Sequence, residues 1–68
     1  MDKRLQENLL REMKDSGRKV LLYLRNGVQM RGVVVKDYDD ISILLEADGD
    51  TKLVYLSVLS TIQPLGEE

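Results

Sequence analysis

Residues 23–32 read Tyr23-Leu24-Arg25-Asn26-Gly27-Val28-Gln29-Met30-Arg31-Gly32, and this stretch decides the fold class. Two apolar-rich segments meet at Asn26-Gly27, the strongest short-range hairpin signal a sequence carries. Upstream, Val20 to Leu24 is an unbroken apolar run, which suggests a strand covered on both faces. Downstream, the return strand runs from Val28 to about Asp37 with Gly32 in its interior. A glycine there weakens a flat strand but lets a sharply bent one turn a barrel corner.

The pattern continues outward on both sides. Ile41, Ile43 and Leu45 alternate with Ser42, Leu44 and Glu46 as a third strand, after a Tyr38-Asp39-Asp40 loop. Asp48-Gly49-Asp50 makes a turn, Thr51 to Leu56 a fourth strand, and Val58 to Ile62 a fifth, entered by a corner near Ser57 and closed by Pro64. Before the hairpin, Leu5, Leu9, Leu10 and Met13 form one apolar stripe at the helical period. Asp2 can cap this helix at its start, and Gly17 can end it in a left-handed conformation. The other helix face, with Lys3, Glu7, Arg11, Lys14 and Asp15, reads as a solvated polar surface. The expectation is a mainly β single domain over residues 1–68. An N-terminal α-helix over about 3–16 precedes a five-stranded, strongly bent antiparallel β-barrel over about 19–64, and 65–68 form a frayed tail.

Composition narrows the functions. The chain has 68 residues, no Cys and no His, and 43% of it is apolar. A domain this small buries only about 60% of its unfolded surface, and disulfides are excluded, so self-association is the natural source of further burial. The fourth and fifth strands, at Leu53, Val54, Tyr55, Val58, Leu59, Ser60, Thr61 and Ile62, lack protecting Lys or Pro and look made to pair with a neighbouring copy. Head-to-tail pairing of that kind closes into a ring when the rotation fits. Without His or Cys the commonest general base and activated nucleophile are missing, and the glycines form no phosphate loop. Neither an enzyme nor a cofactor is expected. Asp37, Asp39 and Asp40 lack the spacing of a calcium loop and read as turn formers, with no metal. No run approaches the ~20 apolar residues of a membrane span, and no secretory core follows Met1-Asp2-Lys3-Arg4. A cytoplasmic protein is expected. The net charge of −2 opposes long-range attraction of phosphate, so any nucleic-acid binding would rest on local cations and base contacts.

The hairpin stretch, with Val54-Tyr55, then Ser60-Thr61-Ile62 and Pro64, resembles the two Sm motifs of the bacterial Hfq family. Leu5-Gln6 and Ile43-Leu44-Leu45 extend the resemblance over Leu5 to Pro64. It implies a small Sm-like, SH3-like barrel, a homohexameric ring, and an RNA chaperone with two RNA-binding faces and a lateral rim. On the distal face, which takes A-rich single-stranded RNA, the matching positions are Tyr23, Asn26, Gly27, Val28, Gln29, Met30, Arg31, Ser60 and Thr61. On the proximal pore, which takes uridines, the positions are Gln6, Ile41, Leu56 and Ser57. Only Gln6 keeps the family residue there: Ile41 replaces an aromatic, and Leu56-Ser57 replaces a Lys-His pair. The rim corresponds to Arg11, Lys14, Arg18 and Lys19, for which a solvated helix end is the simpler reading. The function implied is post-transcriptional regulation through A-rich or purine-rich RNA. The alternative is a divergent Sm-like ring with weak RNA binding that serves as a protein-interaction scaffold.

Overall fold

The computed structural model describes residues 3–65. Helix α1 spans Lys3–Ser16. Leu10 and Met13 of its apolar stripe are buried and Leu9 is half-buried, but Leu5 is 64% exposed and stands outside the core. The expected stripe is therefore shorter by one turn, because the sheet supports only the C-terminal part of the helix. The proposed cap Asp2 lies outside the described residues, as do Gly66, Glu67 and Glu68 of the expected tail. At the other end Gly17 takes φ +67°, and its N–H donates to the Met13 carbonyl at 3.2 Å. A left-handed glycine stops the helix in this way because an L side chain resists that conformation.

Five strands follow: β1 Lys19–Leu24, β2 Gln29–Tyr38, β3 Ser42–Ala47, β4 Asp50–Tyr55 and β5 Leu59–Pro64, with a single 3₁₀ turn at Leu56–Val58 between the last two. All pairings are antiparallel in one bent sheet of order β4-β3-β2-β1-β5. Val20, Leu22, Val33, Val35, Ile43 and Leu45 turn to one side and close over Leu10 and Met13 of α1. Leu21 is also buried, so the start of β1 is covered on both faces as its unbroken apolar run implies.

Each bend in the sheet is an extra residue in one strand. The pairings Val20↔Val33 and Leu21↔Arg31 leave Gly32 unpaired, Val35↔Leu45 and Asp37↔Leu44 leave Lys36, and Tyr23↔Thr61 and Leu24↔Leu59 leave Ser60. Gly32 has φ +78°, the left-handed conformation that a glycine bulge uses. The bulge resets the alternation, so that Met30 before it and Val33 and Val35 after it all reach the core. An unbroken period of two would not allow this.

Two expectations change in detail. The hairpin is not a two-residue turn: Arg25-Asn26-Gly27 form a three-residue loop. Gly27 N–H donates to the Leu24 carbonyl at 3.0 Å, and Leu24 N–H to the Val28 carbonyl at 2.8 Å. Only Gly27 of the Asn-Gly pair has positive φ, which is the glycine-bulge type of hairpin. Ile41 is not a strand residue either. Asp39 holds the loop ahead of β3, its carboxylate accepting from Ile41 N–H, Ser42 N–H and the Ser42 hydroxyl at 2.8–3.0 Å. This leaves Ile41 outside the ladder and 64% exposed.

Candidate nucleic-acid interface

Strand β1 lies between β2 and β5, so its outward side chains have neighbours on both sides. Gln29, Tyr23 and Thr61 are in register across the three strands, and two residues further along Arg31, Leu21 and Gln63 are in register. Directly opposed residues of an antiparallel pair share a face, with Cβ atoms about 4.5–5.5 Å apart. The outcome is a surface with half-buried Tyr23 at its centre and exposed Gln29, Arg31, Thr61 and Gln63 around it. Tyr23 offers a flat apolar ring, Gln29, Thr61 and Gln63 offer hydrogen-bonding groups, and Arg31 offers positive charge. Such a surface can stack a base and hold its edge and phosphate. Gln63 was not among the sequence-derived candidates; the alternation Thr61, Ile62, Gln63 within β5 is the signal that would have found it.

The other expected distal residues fall in two places. Asn26, Gly27 and Val28 belong to the exposed hairpin loop and its exit, where Asn26 Oδ1 accepts from Val28 N–H at 3.0 Å. Ser60 is the exposed bulge residue beside Thr61, the two hydroxyl oxygens 3.5 Å apart. Met30, by contrast, is in register with Leu22, itself paired with Ile62, and packs against the core on the opposite face from Tyr23.

The residues expected at the proximal pore do come together. Gln6 lines a hollow of about 240 Å³ with Leu9, Leu56, Leu59 and Ile62, and a second of about 180 Å³ with Glu7, Tyr38, Asp39 and Asp40. Ile41 adjoins Leu56, whose N–H donates to the Ile41 carbonyl at 2.8 Å. Ser57 is exposed beside them. The hydrogen bonds from Ile41 N–H, and then from the Ser42 hydroxyl and N–H, hold the Asp39 carboxyl below its ordinary value. The surroundings of Gln6 are thus apolar on one side, at Leu9, Leu59 and Ile62, and acidic on the other, at Glu7, Asp39 and Asp40.

Most of the rim cations engage the chain's own groups. Lys14 pairs with Asp37 at 3.3 Å, Arg11 donates to Asn8 Oδ1 at 3.3 Å, and Arg18 donates to the Leu65 carbonyl at 3.2 Å. Tyr38 N–H, with Lys14 second, lowers the Asp37 carboxyl. Lys19 is exposed at the start of β1.

Among the described residues β4 and β5 do not pair with each other and form the two edges of the sheet. Leu53 and Tyr55 of β4 are 55% and 54% exposed, and Val58 of the connecting turn is 44% exposed, while Val54, Leu59 and Ile62 pack inward. The edges carry more protection than residues 53–62 suggest, because β4 extends back to Lys52 and β5 forward to Pro64. No group of three or more Asp or Glu residues suited to a metal occurs among the described residues. Nor is any helix among them long and apolar enough to cross a membrane.

Comparison with known proteins places these features. The family model for the Hfq protein matches residues 5–68. The RNA-binding protein Hfq of Bacillus cytotoxicus is 37% identical over 60 residues, covering 88% of this chain and 80% of the relative. The namesake from Bacillus thuringiensis matches to the same extent. A crystal structure of the pleiotropic translational regulator Hfq superposes with a TM-score of 0.84 at 28% identity, over 96% of this chain and 97% of the other. With sequence and fold matched across nearly the whole chain, this protein belongs to the Hfq family.

Proposed function

We propose that copies of this chain close into a ring, a hexamer by likeness to the family, that binds A-rich or purine-rich single-stranded RNA in the cytoplasm. The ring acts as an RNA chaperone in post-transcriptional regulation. The observation that carries this reading is the row Gln29–Tyr23–Thr61 with Arg31 beside it. One aromatic ring per copy sits among donors and acceptors and a cation, on a face turned away from the core. A base stacked on an aromatic side chain contributes about 1–3 kcal/mol, and repetition around a ring adds avidity with no new kind of contact. The two open edges support the ring, since β4 of one copy can continue the sheet at β5 of the next, covering Leu53, Tyr55 and Val58. The acidic and apolar setting of Gln6 supports weak binding of uridines.

Fluorescence polarisation with labelled oligo-A, oligo-U and oligo-C tests the reading, with native mass spectrometry on the same sample. Oligo-A is expected to bind clearly more tightly than oligo-U, to a closed oligomer. Absence of oligo-A binding by an intact ring would refute the RNA surface, and a sample that is mainly monomer at micromolar concentration would refute the ring.

A further inference from the structure

Among the described residues Leu21 alone is apolar, buried and outside the cluster that closes over α1. It alternates with Val20 and Leu22 of that cluster, so it lies on the outer face of β1, two positions from Tyr23. Its partners on that face are Arg31 of β2 and Gln63 of β5, both exposed at their ends. Long polar side chains lay their apolar stems over such a neighbour and keep their polar ends in water. Neither Gln63 nor Arg31 makes a side-chain hydrogen bond or ion pair with a described residue, whereas Arg11, Lys14, Arg18 and Lys36 are all engaged. Both are diagonal neighbours of Tyr23, at a Cβ separation of about 7–8 Å that long side chains span. Gln29, the other amide near Tyr23, is the first residue of β2 and follows the exposed hairpin loop, so its stem has no comparable floor. Ring closure engages the backbone edge of β5 and leaves the face carrying Gln63 open. A carboxamide sets a donor beside an acceptor, which matches the N7 and 6-amino group of adenine; guanine shows two acceptors on that edge, and pyrimidines have no N7. We infer that Gln63 is the residue that selects adenine: its amide reads the 6-amino group and N7 of a base stacked on Tyr23. Arg31, across Leu21, meets the phosphate of the same nucleotide.

This assignment rests on the Tyr23 row being the RNA surface, and the test separates the two. The probes are fluorescein-labelled oligo-A, the same oligomer built from 7-deazaadenosine, which has a C–H in place of N7, and oligo-C, all followed by polarisation. The proteins are the unaltered chain, Gln63→Met and Gln29→Met. Methionine keeps a stem over Leu21 and removes only the amide, and native mass spectrometry on each sample checks the ring. The unaltered protein is expected to bind oligo-A several-fold more tightly than the 7-deaza oligomer. Gln63→Met should weaken oligo-A about tenfold, the effect of one lost bidentate contact, leave oligo-C nearly unchanged, and bind oligo-A and its 7-deaza form alike. Gln29→Met should still tell them apart. Oligo-A binding that ignores N7, or a preference for N7 that survives in Gln63→Met or vanishes in Gln29→Met, overturns the role of Gln63 and leaves the Tyr23 surface standing. Loss of the ring in Gln63→Met would make Gln63 a subunit contact and overturn it equally. An intact unaltered ring that binds no oligo-A would refute the RNA surface itself, and this assignment with it.

Discussion

Replacing Gly32 by Ala tests the bulge on which both faces of the sheet depend. Gly32 has φ +78°, and a Cβ built there meets no other atom within 4 Å. The cost is therefore conformational and not a collision. Holding an L-residue in the left-handed region costs roughly 1–2 kcal/mol, and the loss of glycine freedom in the unfolded chain returns about 0.4–1 kcal/mol. The net destabilisation expected is about 1 kcal/mol, or some 4–8 °C in melting temperature for a domain of this size. Gly32→Asn should cost less because Asn tolerates that region, and Gly32→Val more because a β-branched residue resists it. Urea and thermal unfolding at one fixed protein concentration give the order, since a ring's apparent stability depends on concentration. If the chain escapes the strain by flattening the bulge, residues on one side of Gly32 exchange faces, moving Arg31 inward or Val33 outward. Oligo-A affinity would then fall by more than the stability loss accounts for. An unchanged midpoint in Gly32→Ala, or equal costs for Asn and Val, would refute the reasoning.

Tyr23→Ala should weaken oligo-A binding by about 1–3 kcal/mol per engaged base, and Arg31→Ala should reduce the salt slope by about one if it meets a phosphate; both are read by polarisation. Leu53→Glu places a charge on an exposed position of an edge strand, and native mass spectrometry should show rings giving way to smaller species while circular dichroism keeps its β signal. Asp39 titrates below its ordinary 3.8 in the folded chain. Its stabilisation is therefore complete above that value and lost as pH falls through the lower folded value. Asp39→Asn should lower urea midpoints at neutral pH and lose less in further acidification than the parent. Leu56→Lys combined with Ser57→His should raise oligo-U affinity and leave oligo-A affinity nearly constant, because Leu56, the chain neighbour of Ser57, lines the hollow with Gln6 and Tyr23 does not.

Local chemistry made most of the fold legible. The period-3.6 stripe, the apolar run at Val20, the turn residues and the interior Gly32 each announce themselves within a few positions, because helix, strand and turn preferences are local. The absence of His and Cys is equally direct, and the Sm-like motifs extend to the distal and pore positions one residue at a time. What tertiary structure alone decided is which residues become neighbours and which face they take. Gly32, Lys36 and Ser60 each slip out of the pairing, and a slip of one residue reverses every side chain beyond it. This is why Met30 packs inward together with Val33 and Val35, which an unbroken alternation along β2 would place on opposite faces. Leu5 looked like core and stands exposed because helix burial depends on how far the sheet reaches beneath it. The cations near the helix end likewise looked available, yet Lys14 is paired with Asp37 from β2, a partner twenty-three positions away in sequence that only the folded sheet brings within reach.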